Sequence, residues 1–139
     1  MAKKFQKEFI NYCNKQQLEI NSNQLEVIKK LEKYYKSNFK SFFSKLFSKK
    51  TLSKGFYLYG GVGVGKTMIL NFFFNNLHEK RERFHFNEFM IKFHNFIFEN
   101  KNKENGIDLF VKDLKKRTKL LYFDEFQITN IVDAMILGK

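Results

Sequence analysis

The chain has 139 residues, 43% of them apolar, and a formal net charge of +12. One domain is the natural count at that length, and the apolar fraction allows a real core. No run approaches the roughly 18 apolar residues of a membrane span, and a lone cysteine, Cys13, excludes an intrachain disulfide and points to a reducing compartment.

The opening residues, Met1 to Glu8, lack the apolar stretch of a secretory signal. Residues 1–20 read as helical. Asn21-Ser22-Asn23 offers an N-cap, and Leu25, Ile28, Leu31 and Tyr35 follow at helical spacing. From about Asn38 to Lys50, the residues Phe39, Phe42, Phe43 and Leu46 recur as the buried stripe of a second amphipathic helix. Between Lys29 and Lys54 stand nine lysines and one glutamate, interleaved with aromatic rings. Rings plus lysines are one way to hold single-stranded nucleic acid; the competing reading makes the lysines the wet face of that helix. Only three of the 26 basic residues are arginine, which weakens the case for specific phosphate or base recognition. Thr51 to Gly55 reads as a linker, so the chain divides into an N-terminal helical segment, 1–53, and a second region, 54–139.

The second region opens with an apolar, aromatic run, Gly55-Phe56-Tyr57-Leu58-Tyr59, read as a strand. Gly60-Gly61-Val62-Gly63-Val64-Gly65-Lys66-Thr67 follows, and Met68 to Leu77 reads as helix. Strand, glycine-rich turn, Lys-Thr and helix is the context of a phosphate-binding loop. Phosphate oxygens need many donors at close range, and the backbone N–H groups of a tight loop supply them where side chains do not block the approach. Four of the seven glycines lie in this one turn. The helix N-terminus behind it adds unpaired N–H groups and a positive dipole end. Lys66 is expected to reach the β- and γ-phosphates as a binding and catalytic residue, and the Thr67 hydroxyl to bind Mg²⁺.

Farther along, Arg83 to Asn87 alternates as a strand, Phe89 to Glu99 and Ile107 to Arg117 read as helices, and Asn100 to Gly106 as a polar loop. Leu120-Leu121-Tyr122-Phe123 fits a short strand buried on both faces. It delivers Asp124 and Glu125 to its C-terminal end, where α/β ligands sit. Asp124 is the expected Mg²⁺ contact, mostly through water. Glu125 is the expected acceptor of a proton from an attacking water, a group that an ATPase needs and a kinase-type loop protein does not. Ile128 to Leu137 reads as the last helix. Strands alternating with helices argue for an α/β, doubly wound parallel sheet. His85 reads as a partly buried strand histidine. His78 and His94 have no metal-ligand spacing.

Taken together, three blocks in order resemble a known family. Lys54 to Met68, then Arg83 to Met90 with His94 soon after, then Leu121 to Thr129 with Asp133 to Leu137, resemble the ZapE-type cell-division ATPases, whose mitochondrial members are called Afg-one-like ATPases. Gln24 and its helix resemble that family's N-terminal helix. Asn71 and Asn130 stand where the family usually carries Asp. The resemblance covers roughly Asn23 to Lys139 and only the family's N-terminal part. It implies an AAA+-type P-loop ATPase binding ATP at Gly60, Gly61, Val62, Gly63, Val64, Gly65, Lys66 and Thr67. Asp124 and Glu125 would serve as Mg²⁺ contact and water activator. It also implies a homo-oligomeric ring, a protein partner, and a cytoplasmic place in bacterial division or a matrix place in mitochondrial quality control.

In that fold the sensor strand, the arginine finger and the helical lid come later. The sensor strand lies between the phosphate-loop strand and the Walker B strand, so the sheet is expected to be incomplete, with a gap of ~9–10 Å. On that reading the chain is a fragment that binds ATP weakly. The alternative function is an ATP-dependent, helicase-loader-like protein that holds nucleic acid through its lysine-rich helix.

Overall fold

A computed structural model describes residues 4–39 and 55–138. The expected amphipathic helix over Asn38 to Lys50 falls almost entirely outside them. The described residues form two compact units, residues 1–77 and residues 78–139.

The first unit holds α1 (Lys4–Lys15), α2 (Ser22–Phe39) and α3 (Lys66–Asn75). Helix α1 is shorter than the 20 residues expected, and Leu18 beyond it is exposed. Helix α2 starts where its cap signal lies. Ile28, Leu31 and Tyr35 of its stripe are buried, while Leu25 is half-buried. Two polar side chains, Gln24 and Glu32, are buried on the same helix, and Glu32 pairs with Lys36 one turn on. Aromatic rings knit the three helices. Phe72 on α3 meets Phe9 on α1 edge-on, with centroids 5.1 Å apart, and Phe73 meets Tyr35 on α2 at 6.3 Å. Burying such rings removes about 150–250 Å² of surface each from water. Cys13 on α1 is fully buried, and burial pushes its thiol pKa up, which makes it a small core residue rather than a nucleophile.

Residues 55–59 were expected to form a strand ending at the loop. They form none: the described sheet has two strands, both in the other unit. A strand is a paired state, and the aromatic pattern alone does not supply a partner. Tyr57 and Tyr59 are exposed and stack on each other at 6.1 Å.

The second unit holds β1 (Arg81–His85), α4 (Phe86–Glu99), α5 (Gly106–Arg117), β2 (Leu120–Asp124) and α6 (Ile131–Leu137). The strands pair in parallel, Arg83 opposite Tyr122 and His85 opposite Asp124. The α/β class and the parallel sense agree with expectation. Because side chains alternate along a strand, Phe84, Leu121 and Phe123 share one face and pack into a cluster with Phe86, Phe89, Met90, Phe93 and Phe110. Arg81, Arg83, His85, Tyr122 and Asp124 share the other. Strand β2 is half-buried throughout rather than buried on both faces, its core-facing Leu121 and Phe123 included.

Several boundaries differ from expectation: β1 starts at Arg81 rather than Arg83, α3 spans Lys66–Asn75 rather than Met68–Leu77, and three further shifts have a local reason. Strand β1 ends at His85 rather than Asn87, and Phe86 opens α4. The alternation of Phe84 with Phe86 mimics a longer strand, but both rings reach the same core. His85 is therefore an exposed strand end and not a partly buried mid-strand histidine. Helix α6 begins at Ile131 rather than Ile128, because the Asn130 side chain caps it, accepting from Val132 N at 2.7 Å.

Candidate functional site

The turn from Gly60 to Gly65 runs directly into α3. Gly63 and Gly65 have φ of 81° and 83°, the left-handed region that costs other residues about 1–2 kcal/mol. Gly65 is the N-cap of α3, and no side chain caps that helix end. The first N–H groups of α3 are thus left to another partner. Val62 is fully exposed at the tip, and Val64 is 47% exposed. The Lys66 ammonium donates to the carbonyls of Gly60 at 2.8 Å and Gly61 at 2.6 Å, so its charge is held over the turn. Thr67 is exposed in the first turn of α3. The structure therefore gathers all eight residues from Gly60 to Thr67 in one turn and one helix start. This donor set suits a polyphosphate: a phosphate oxygen carries more charge than the two carbonyls and would form the stronger, charge-assisted bond to Lys66.

In the other unit, Asp124 ends β2 and Glu125 follows it. Both oxygens of Asp124 are engaged. Oδ2 accepts from Arg83 Nε at 2.5 Å, and Oδ1 accepts from the Tyr122 hydroxyl at 2.6 Å. Arg83 also lies over the Tyr122 ring, 4.8 Å from its centroid. Burial pushes the Asp124 carboxyl up, but the bonds from Arg83 and Tyr122 and the Arg83 and His85 charges outweigh it and hold the pKa below its ordinary value. Burial, then the bond to Asp124, pushes the Tyr122 phenol far up. Asp124 is an ionised acceptor, and each oxygen keeps a lone pair for a further partner.

Glu125 is exposed, with φ of 51°. In an extended strand, neighbouring residues face opposite ways; a left-handed residue leaves that alternation, so Glu125 is freed from the face that the strand would assign it. Such conformations persist where surrounding structure imposes them and cluster at functional sites.

Sequence reasoning missed three residues that shape these clusters. Tyr122 carries a partial signal, because it lies two residues before Asp124 and hence on the same face; Arg83 carries none, because its place beside Asp124 depends on strand register. Gln24, whose amide reaches the Val64 carbonyl, carries none for that role. Among the described residues, no group of three or more His, Cys, Asp and Glu side chains is arranged to hold a metal ion. A surface hollow of about 440 Å³ is lined by exposed lysines, among them Lys80, Lys115 and Lys119, and contains none of the motif residues. No helix among the described residues is long and apolar enough to cross a membrane.

A glycine turn opening onto an uncapped helix, in an α/β chain with an acidic strand end, defines the class of P-loop nucleotide-binding proteins. The family described as AFG1-like ATPase matches residues 4–139, and the chain belongs to it. That is a family of P-loop ATPases. The chain is 36% identical over 92 residues to the cell division protein ZapE of Escherichia coli, a match covering 66% of this chain and 24% of that protein. It is 36% identical over 96 residues to lactation elevated protein 1 homolog B of Danio rerio, covering 60% of this chain and 19% of that protein. The matched stretch thus spans a quarter or less of the length of either relative. No solved structure matches the chain.

Proposed function

We propose that this chain carries the nucleotide-binding and water-activating parts of an ATPase that hydrolyses ATP and couples the energy to a protein partner. The observation that carries the reading is the turn at Gly60 to Gly65, whose left-handed glycines lead straight into the uncapped start of α3. Backbone N–H groups there bind the triphosphate, and Lys66 exchanges its two carbonyl partners for phosphate oxygens. Bound Mg²⁺ would neutralise phosphate charge; the Thr67 hydroxyl in the first unit and the Asp124 carboxylate in the second are the proposed contacts, each by its own chemistry suited to a hydrated divalent cation. Arg83 and Tyr122 fix the orientation of that carboxylate and leave a lone pair on each oxygen for the ion or a water bound to it.

Glu125 accepts a proton from water as its oxygen attacks the γ-phosphorus. The bond from that phosphorus to the bridging oxygen breaks, and ADP and phosphate leave. The exposed, left-handed position of Glu125 supports this role. In this proposal the division of labour is an N-terminal segment over 1–53, helical over Lys4–Lys15 and Ser22–Phe39, and an ATPase region over 54–139. A role in cell division follows the name of the Escherichia coli relative; a ring of copies and a cytoplasmic or, alternatively, mitochondrial setting are part of the same proposal and rest on the resemblance alone.

Glu125→Gln in the full-length ATPase should cut turnover by about 10²–10⁴-fold while ATP still binds. Lys66→Ala should abolish binding, read by the fluorescence of a labelled ATP. Unchanged turnover in Glu125→Gln would remove Glu125 as the base.

A further inference from the structure

Gln24 connects two places 40 residues apart in the chain. It sits in the first turn of α2. There the Asn21 Oδ1 accepts from Gln24 N at 2.9 Å, and Gln24 Oε1 accepts from Asn21 N at 3.1 Å. This is a reciprocal capping box, with Asn at the N-cap and Gln three residues on. A cap of this kind is ordinarily solvent-facing, yet Gln24 is only 8% exposed. Its amide nitrogen, Nε2, donates to the Val64 carbonyl of the glycine turn at 3.3 Å. The amide orientation follows from chemistry. Asn21 N–H can only donate, so it faces Oε1; the Val64 carbonyl can only accept, so it faces Nε2. A rotated amide would lose both bonds. A second observation ties the same atoms together: a Cβ on Gly65 would stand 2.8 Å from Gln24 Nε2. The amide fills the space that this glycine leaves.

A trans peptide sets its C=O and N–H in opposite directions. With the Val64 carbonyl turned to Gln24, the Gly65 N–H must point out of the opposite edge of the same peptide, away from Gln24. Gly65 is also the N-cap of α3, where the unpaired N–H groups gather. We propose that Gln24 is a positioning residue of the phosphate loop: by holding the Val64 carbonyl it aims the Gly65 amide, and with it the start of α3, at a nucleoside triphosphate. The proposal rests on the reading that the loop binds nucleotide. Gln24 itself acts through the Val64–Gly65 peptide.

The test separates the cap from the loop contact in the full-length ATPase, using labelled-ATP fluorescence for affinity and a nucleotide-free Tm for stability. Gln24→Glu keeps an acceptor for Asn21 N–H but presents an acceptor to the Val64 carbonyl. Affinity should fall about tenfold, the worth of one net hydrogen bond, with KM raised in step. Asn21→Ala removes half of the cap and leaves the loop contact; Tm should fall and affinity should not. Gln24→Met removes both and should show both effects, so it replaces Gln24→Glu if the buried carboxylate prevents folding. Wild-type affinity in Gln24→Glu and Gln24→Met, or an equal loss in Asn21→Ala, overturns the proposal while Lys66→Ala still abolishes binding. If wild-type protein does not bind, or Lys66→Ala binds as tightly, the nucleotide reading fails and this proposal falls with it.

Discussion

Between Gly60 and Lys66 the chain offers its backbone; at the end of β2 it offers side chains. In the turn, two left-handed glycines and an uncapped helix start decide where the donors are, and the nearest tuning contact is one amide on the Val64 carbonyl. At the strand end, Asp124 is shaped by an arginine on the neighbouring strand and a tyrosine two residues back, and its charge state follows from them. A backbone site depends on conformation and fails when a Cβ is added. A side-chain site depends on its neighbours' charges and should respond to pH.

The sharpest way to break this contrast is Gly65→Ala. The residue must adopt a φ of 83°, and its new Cβ meets the Gln24 amide at 2.8 Å. Left-handed strain plus one lost hydrogen bond amounts to about 2–3 kcal/mol; a turn that relaxes to escape it must be rebuilt to bind, roughly a 30–150-fold loss of ATP affinity in titration. Retained affinity would mean that the turn tolerates side chains and that backbone shape is not its working part.

Arg83→Met probes the other region. The loss should be about 1 kcal/mol near neutral pH, kept small because Arg83 is 38% exposed. The direction with pH follows from the lowered Asp124 pKa. Its stabilisation is present above the unfolded value of about 4 and is lost as pH falls through the lower folded value. Urea midpoints of wild type and variant should therefore differ at neutral pH and converge in acid. A constant offset at every pH would contradict the ion-pair account.

Asn130 sharpens the comparison on a smaller scale. Asn130→Ala removes the cap on Val132 N and should cost about 1 kcal/mol by thermal melting. Asn130→Asp keeps an acceptor there and should change stability by only a few tenths of a kcal/mol. A large effect of Asn130→Asp would mean that charge at this position, and not the cap, governs α6.

The glycine turn and the acidic end of β2 were legible because local sequence carries both. Gly60 to Thr67 has a fixed spacing, and Leu120 to Phe123 is a compact apolar run. The Arg83 partnership was not legible: it depends on parallel register across two helices, with Arg83 opposite Tyr122, and no short window contains that. Gln24 read as a helix residue because its loop contact lies 40 residues away. The expected strand at Gly55–Tyr59 failed because apolar and aromatic residues favour a strand only where another is there to pair. Where the sequence ran past a boundary, as at Phe86 and Ile128, a side chain served the core in either conformation or a cap ended the ambiguity.

Glu125 occupies a backbone conformation that asparagine and glycine adopt far more readily. A search for thermostable variants of this chain would therefore be drawn to that position, because easing the strain is a cheap improvement in folding. The same replacement would delete the acid proposed above to take the proton from water, so on that proposal the least comfortable residue at the end of β2 is the one that a purely stability-guided redesign ought to leave alone.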